Sequence, residues 1–142
     1  VYALDHNRPA LQRLIDARFD SRPDALGAAP RAGEIRMVSD AVEIGAGTNR
    51  IRLVPLRGET SERQLMVYFP ETRLLYGSDV FQAGGGGAPS NPQAASELID
   101  AVARAHLRPG RYFMMHIDVA PWPDLLARMR TTPGGFPSGS RP

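Results

Sequence analysis

Arg50-Ile-Arg-Leu-Val-Pro-Leu-Arg-Gly-Glu-Thr-Ser-Glu-Arg-Gln-Leu-Met-Val-Tyr-Phe-Pro-Glu-Thr-Arg-Leu-Leu-Tyr-Gly-Ser-Asp-Val-Phe-Gln82 decides the fold. Ile51 and Leu53 share one face of a strand over 50–54. Residues 64–69 are rich in β-formers, Pro70-Glu-Thr72 makes a hairpin turn, and residues 73–77 form the next strand. The stretch closes on Gly77-Ser78-Asp79, a carboxylate at a strand end followed by a glycine-rich loop.

Working outward, Glu34-Ile-Arg-Met-Val38 and Ala41-Val-Glu-Ile44 alternate polar and apolar residues and read as two further strands. Asp40 turns the first of them and Gly45-Ala-Gly47 the second. Four or five short strands in a row make an antiparallel meander. Upstream, Val1-Tyr-Ala3 reads as the tail of a strand. Asn7 and Pro9 then open a helix over 8–19 with Leu11, Leu14, Ile15 and Phe19 at near-helical spacing, and a short helix over 21–29 ends at Pro30. Downstream, Gly84 to Gly87 form a loop without the Lys-Ser/Thr ending of a phosphate loop, so nucleotide binding is rejected there. Asn91 and Pro92 open a helix stopped by Pro109-Gly110, residues 111–117 form an apolar strand, and residues 122–129 a last helix. Residues 131–142, rich in Pro, Gly, Ser and Thr, read as a disordered tail.

The predicted class is therefore α+β, a layered half-sandwich. An antiparallel meander carries helices on one face and leaves its second face to be covered. Residues 1–130 form the domain.

Composition narrows the functional classes. The chain has 142 residues, 42% hydrophobic, with a net charge of +2, enough for a packed core. All 17 basic residues are Arg, interleaved with Asp and Glu; no basic stripe suggests nucleic acid. Cysteine is absent, which excludes disulfides, zinc ribbons and a thiol nucleophile. No apolar run approaches the roughly 20 residues of a membrane span. The chain begins with Val1 rather than Met. A missing N-terminal part is expected, and the location, cytoplasmic or periplasmic, stays open.

Several signatures resemble the metallo-β-lactamase superfamily, in the portion after its main metal motif. Val1-Tyr-Ala with Asn7-Arg8 before a helix looks like the strand and helix following the His-x-His-x-Asp-His loop. Leu65-Met-Val-Tyr-Phe-Pro-Glu-Thr-Arg-Leu-Leu-Tyr-Gly-Ser-Asp79-Val-Phe is similar to the hairpin ending in a bridging aspartate. Asn91-Pro92 and then Tyr112-Phe-Met-Met-His116 look like the final helix and strand that deliver the last histidine. The resemblance implies a zinc-dependent hydrolase, with two ions in a complete member. It acts on a small-molecule ester, thioester, amide or phosphoester, with Asp79 bridging the ions and His116 completing the second site. No residue is assigned a catalytic role of its own.

Three departures accompany the resemblance, one of them Ile117 directly after His116, where glycine is common. His-x-His-x-Asp-His is absent, since the chain holds only His6, His106 and His116. The loop before the hairpin, where a histidine is usual, reads Arg57-Gly-Glu-Thr-Ser-Glu-Arg63, and its ligand position falls on Thr60 or Glu59. Glu59 offers oxygen to a metal; Thr60 is a poor zinc ligand. The chain alone is thus expected to be inactive and not to hold zinc by itself. The alternative is a degenerate, non-catalytic binding or assembly module that buries its bare sheet face against a second copy. An unrelated α+β binding protein is the third reading.

Each residue also has a plainer reading. Asp79 serves equally as a turn cap, and His116 as a satisfied core histidine. Asp118 is either a partner behind the site or a solvent-facing turn residue. His106 near a helix C-terminus reads as structural. His6, Glu59 and Glu62 read as exposed polar groups, and Trp122 as core packing. A shared site requires the Asp79 and His116 side chains within about 10 Å, because zinc–ligand bonds are about 2 Å long.

Overall fold

A computed structural model describes residues 1–17, 34–62, 64–80, 82 and 89–132. The chain divides into two compact units, Val1–Ser39 and Asp40–Pro142.

In the first unit β1 (Tyr2–Leu4) leads through a single 3-10 turn into α1 (Arg8–Asp16), and β2 (Arg36–Val38) pairs with β1 in parallel. Residues 34–38 were expected to open the meander. They instead form a separate two-stranded sheet, with Tyr2 opposite Arg36 and Leu4 opposite Val38. Alternation sets which face a strand buries, but not which strand it pairs with. Asn7 precedes α1 without a side-chain capping bond, because its backbone is already helical rather than extended, the geometry a cap needs. No residue of α1 is buried. The expected short helix over 21–29 lies outside the described residues.

The second unit carries a six-stranded sheet in the order β3 (Val42–Ile44), β4 (Ile51–Pro55), β5 (Leu65–Phe69), β6 (Leu74–Tyr76), β7 (Arg111–Met114) and β8 (Ile117–Pro121). β3 to β6 form the antiparallel meander. Its β5–β6 turn, residues 70–73, ends on Arg73 with φ 51°. β6 then pairs with β7 in parallel. A parallel neighbour needs a crossover, and α2 (Pro92–Arg104) lies within it. Asn91 caps α2 by accepting the Ala94 amide at 3.1 Å.

α2 ends before Pro109-Gly110 does any work. His106 takes a left-handed φ of 52°, its amide donates to the Ala103 carbonyl, and the Leu107 amide donates to the Val102 carbonyl, both at 3.0 Å. That pair of bonds is a Schellman motif. His106 is therefore a helix terminator.

The expected single strand over 111–117 is a hairpin instead. β7 stops at Met114, Met115 and His116 make the turn, and β8 returns antiparallel with Met114 opposite Ile117. A register shift between Tyr112 and Met114 breaks the alternation in this pair. α3 (Trp122–Thr131) follows, two residues longer than the expected 122–129. Residues 133–142 of the expected tail, and Gly84 to Gly87, lie outside the described residues.

One core serves the second unit. Met66, Tyr68, Leu75, Tyr112 and Met114 from the sheet meet Leu98, Ile99 and Val102 of α2 and Trp122, Leu125 and Met129 of α3. Alternation along β5, where Met66 and Tyr68 are buried and Leu65, Val67 and Phe69 are half-buried, puts both helices on one face. The Trp122 indole meets Tyr112 edge-on at 6.2 Å, the packing role expected of it. Among the described residues no helix is long and apolar enough to cross a membrane.

Gly77 is the tightest point of this core. A Cβ there would lie 2.6 Å from the Met114 sulfur and 2.7 Å from Leu98 Cδ1, and both side chains are enclosed. Gly77→Ala is expected to cost about 1–3 kcal/mol, the range for overpacking a filled core. The check is the midpoint of urea unfolding at unchanged slope.

Candidate metal centre

The parallel register carries Asp79 to His116. Leu74 faces Arg111, Leu75 faces Tyr112 and Tyr76 faces Phe113, and just past these pairs each segment turns, at Ser78–Asp79 and at Met115–His116. Backbone bonds secure both ends of the pair. The Arg73 carbonyl accepts the amides of Gly110 (2.8 Å) and Arg111 (3.2 Å). At the other end the Gly77 amide donates to the Phe113 carbonyl (3.3 Å), and the Met115 amide to the Ser78 carbonyl (2.8 Å). Ser78 adopts φ 53° and the Val80 amide closes the turn onto the Gly77 carbonyl at 3.2 Å.

The side chains then meet at the sheet edge, with His116 Nε2 3.6 Å from Asp79 Oδ1. They are 54% and 51% exposed, so His116 is not a core histidine. An ion pair this exposed adds little to stability. Gln82 Nε2 lies 3.5 Å from the same aspartate oxygen. The edge is formed where two parallel strands end, the usual place for a ligand site in such sheets.

The remaining candidates go elsewhere. Glu59 is exposed, as are His6, Glu62, His106 and Asp118. Thr60 faces Glu97 of α2. Its amide donates to Glu97 Oε1 at 3.1 Å and its hydroxyl to Oε2 at 2.7 Å, while the Ser61 hydroxyl donates to Oε2 at 2.6 Å. Gln93 Nε2 donates to Oε1 at 3.2 Å. Sequence reasoning did not single out Glu97. The one signal was the pair of hydroxyls behind Gly58, which announces a loop in search of an acceptor.

The donors at hand fit part of a zinc site. Asp79 and His116 are ligand types zinc takes, but zinc takes about four. Among the described residues no group of three or more His, Cys, Asp or Glu could hold a metal. The two residues fit a share of a centre and not a whole one.

No family model matches the chain, and no curated protein matches it. Solved structures do. The flavodiiron core of Flv1 from Synechocystis sp. aligns at TM-score 0.56 and 16% identity, over 89% of this chain and 34% of that one. Rubredoxin oxygen:oxidoreductase from Desulfovibrio gigas aligns at 0.57 and 9%, over 89% and 34%. DIM-1 metallo-β-lactamase aligns at 0.56 and 11%, over 89% and 54%. At these identities the likeness is one of fold, and the fold is that of the C-terminal portion of a metallo-β-lactamase domain. The chain spans about a third to just over half the length of these structures.

Glu97 gives the β4–β5 loop a pH signature. Partial burial pushes its carboxyl up, but the bonds from Ser61, Thr60 and Gln93 outweigh this and hold it below the ordinary carboxylate range. A carboxyl depressed in the folded state stabilises fully above its unfolded pKa, and that stability is lost as pH falls through the folded pKa. Wild type should therefore lose stability on acidification below about pH 4 more steeply than Glu97→Gln. Denaturant unfolding over a pH series measures the difference in slope.

Proposed function

We propose that the Asp79–His116 edge is the second part of a metal centre in a hydrolase of metallo-β-lactamase fold. The observation that carries the reading is the 3.6 Å approach of these two exposed donors at the end of a parallel strand pair. Zinc, the metal the resemblance implies, supplies polarisation of a carbonyl or phosphoryl oxygen and activation of water when bound. Asp79 would hold the ions through its carboxylate, and His116 would hold the second through its imidazole. Small-molecule esters, thioesters and amides are the proposed substrates. The neighbours in fold include proteins named for a diiron core and for oxygen reduction as well as β-lactamases, so hydrolysis rests on the resemblance and not on the fold.

With only two donors brought together, the chain by itself is proposed to be inactive. The enzyme reading expects His-x-His-x-Asp-His in the coding sequence shortly before Val1.

A second reading is a non-catalytic module of the same fold. Thr60, at the altered ligand position, spends both its amide and its hydroxyl on Glu97, which favours it. In this reading Val67, Phe69, Tyr76 and Phe113, half-buried, belong to the sheet face that meets a second copy. Sedimentation would then report a dimer.

Zinc titration by calorimetry tests the metal reading. The full chain should bind zinc weakly, His116→Ala and Asp79→Asn should each abolish the heat, and no ester should be turned over above the His116→Ala background. Tight, stoichiometric zinc with turnover would overturn the claim of incompleteness. No difference between wild type and His116→Ala would overturn the site.

A further inference from the structure

The loop joining β4 to β5 has more polar groups than its own backbone can satisfy. Its base is closed by the Leu56 amide on the Gln64 carbonyl at 3.2 Å. Within it the Ser61 amide donates to the Gly58 carbonyl (3.3 Å) and the Gln64 amide to the Ser61 carbonyl (3.0 Å). Among the polar groups these bonds do not use are the Thr60 amide, the Thr60 hydroxyl and the Ser61 hydroxyl, the last on a residue only 1% exposed.

All three donors go to the carboxylate of Glu97. A carboxylate has about four lone-pair sites, and Gln93, one turn earlier on α2, supplies the fourth donor. Two donors fall on each oxygen. Bonds to an ionised acceptor are roughly twice as strong as neutral ones. Gly58 makes room for the arrangement. A Cβ there would overlap Cγ, Cδ and Oε2 of Glu97, so the loop passes over the carboxylate with no side chain between. The Arg104 guanidinium, also on α2, donates to the Leu56 carbonyl at 2.5 Å and ties the loop's entry to the same helix.

We propose that Glu97 is an internal ligand for this loop, fastening Gly58-Glu-Thr-Ser61 to α2 so that the loop holds its conformation without a metal ion. A loop that carries a metal-ligating side chain is fixed in part by the ion it binds. Here the fixing group is a carboxylate of the chain's own helix. The loop is thus ordered independently of whatever occupies the Asp79–His116 edge, and the inference stands whether or not that edge takes a metal. Glu97 acts as a positioning residue through Thr60 and Ser61.

Amide hydrogen exchange in the full chain, resolved residue by residue by NMR, tests this. The variants are Glu97→Gln, Glu97→Ala, Gly58→Ala and the double variant Gly58→Ala/Glu97→Ala. The amides of β5 report whether the fold is intact. In wild type Thr60 should be protected equally in EDTA and in excess zinc. In Glu97→Ala its exchange should accelerate about tenfold or more, as loss of a charged acceptor implies, with β5 unchanged. Glu97→Gln, which keeps shape and one acceptor oxygen, should fall between. Gly58→Ala must displace the Glu97 side chain and should match Glu97→Ala, and the double variant should exchange no faster than either, since both changes remove one interaction. Thr60 protection that appears only with zinc would overturn the inference, as would Glu97→Ala leaving Thr60 as slow as wild type, or effects that add in the double variant.

Discussion

The candidate site depends on the parallel pairing of β6 with β7. Three paired positions, together with carbonyl acceptors at Arg73, Phe113 and Ser78, fix the register over its whole length. Everything at the edge follows from that register. A slip of one residue would invert the faces of β7, taking Tyr112 and Met114 out of the core they share with α2 and α3. The core therefore enforces the approach of Asp79 to His116. Gly77 is where the two demands meet, because the chain must leave the core there against Leu98 and Met114 and turn at once into Ser78 and Asp79.

Two carboxylates of the second unit illustrate opposite uses of one chemical group. Glu97 accepts from four donors at 2.6–3.2 Å, and that saturation is what depresses its carboxyl against the cost of burial. A group so satisfied holds a loop well and has little left to offer a ligand. Asp79 sits half in solvent beside an imidazole, with lone pairs toward water. The first is spent on structure, and the second keeps half its surface open to solvent.

Much of this was legible in the sequence, for reasons particular residues make plain. The β5–β6 hairpin follows from alternation, since Met66, Tyr68 and Leu75 point into the core between half-buried neighbours. Asn91 signalled its helix because an Asn before Pro leaves a side-chain acceptor where the first amides need one. The Asp79–His116 edge was legible through spacing within a resemblance. The β7–β8 hairpin was hidden, because its turn is Met115-His116 rather than the usual Gly, Asn or Asp, and its bulge spoils the alternation. The pairing of β2 with β1 was hidden because parallel partners far apart in sequence leave no local mark. Glu97 was hidden for the same reason: its partners are 36 and 37 residues away, and a glutamate on a helix reads by default as a solvated charge. His106 announced a helix end but not its means, which is a left-handed backbone at a residue other than glycine.

The fold neighbours sharpen what a scaffold can decide. A flavodiiron core, a rubredoxin oxygen:oxidoreductase and a metallo-β-lactamase share this architecture at 9–16% identity, so the common element is the fold, and fold alone does not set a reaction. Reaction is set by the donors each chain hangs on the loops around its site. In this chain the β4–β5 loop is committed to α2 through Glu97, while the strand ends of β6 and β7 present Asp79 and His116 to solvent. The pair is half in solvent, while Gly77, two residues before Asp79, packs against Leu98 and Met114. A zinc ion at this edge would need further donors beside the carboxylate and imidazole already brought together there, because zinc takes about four ligands.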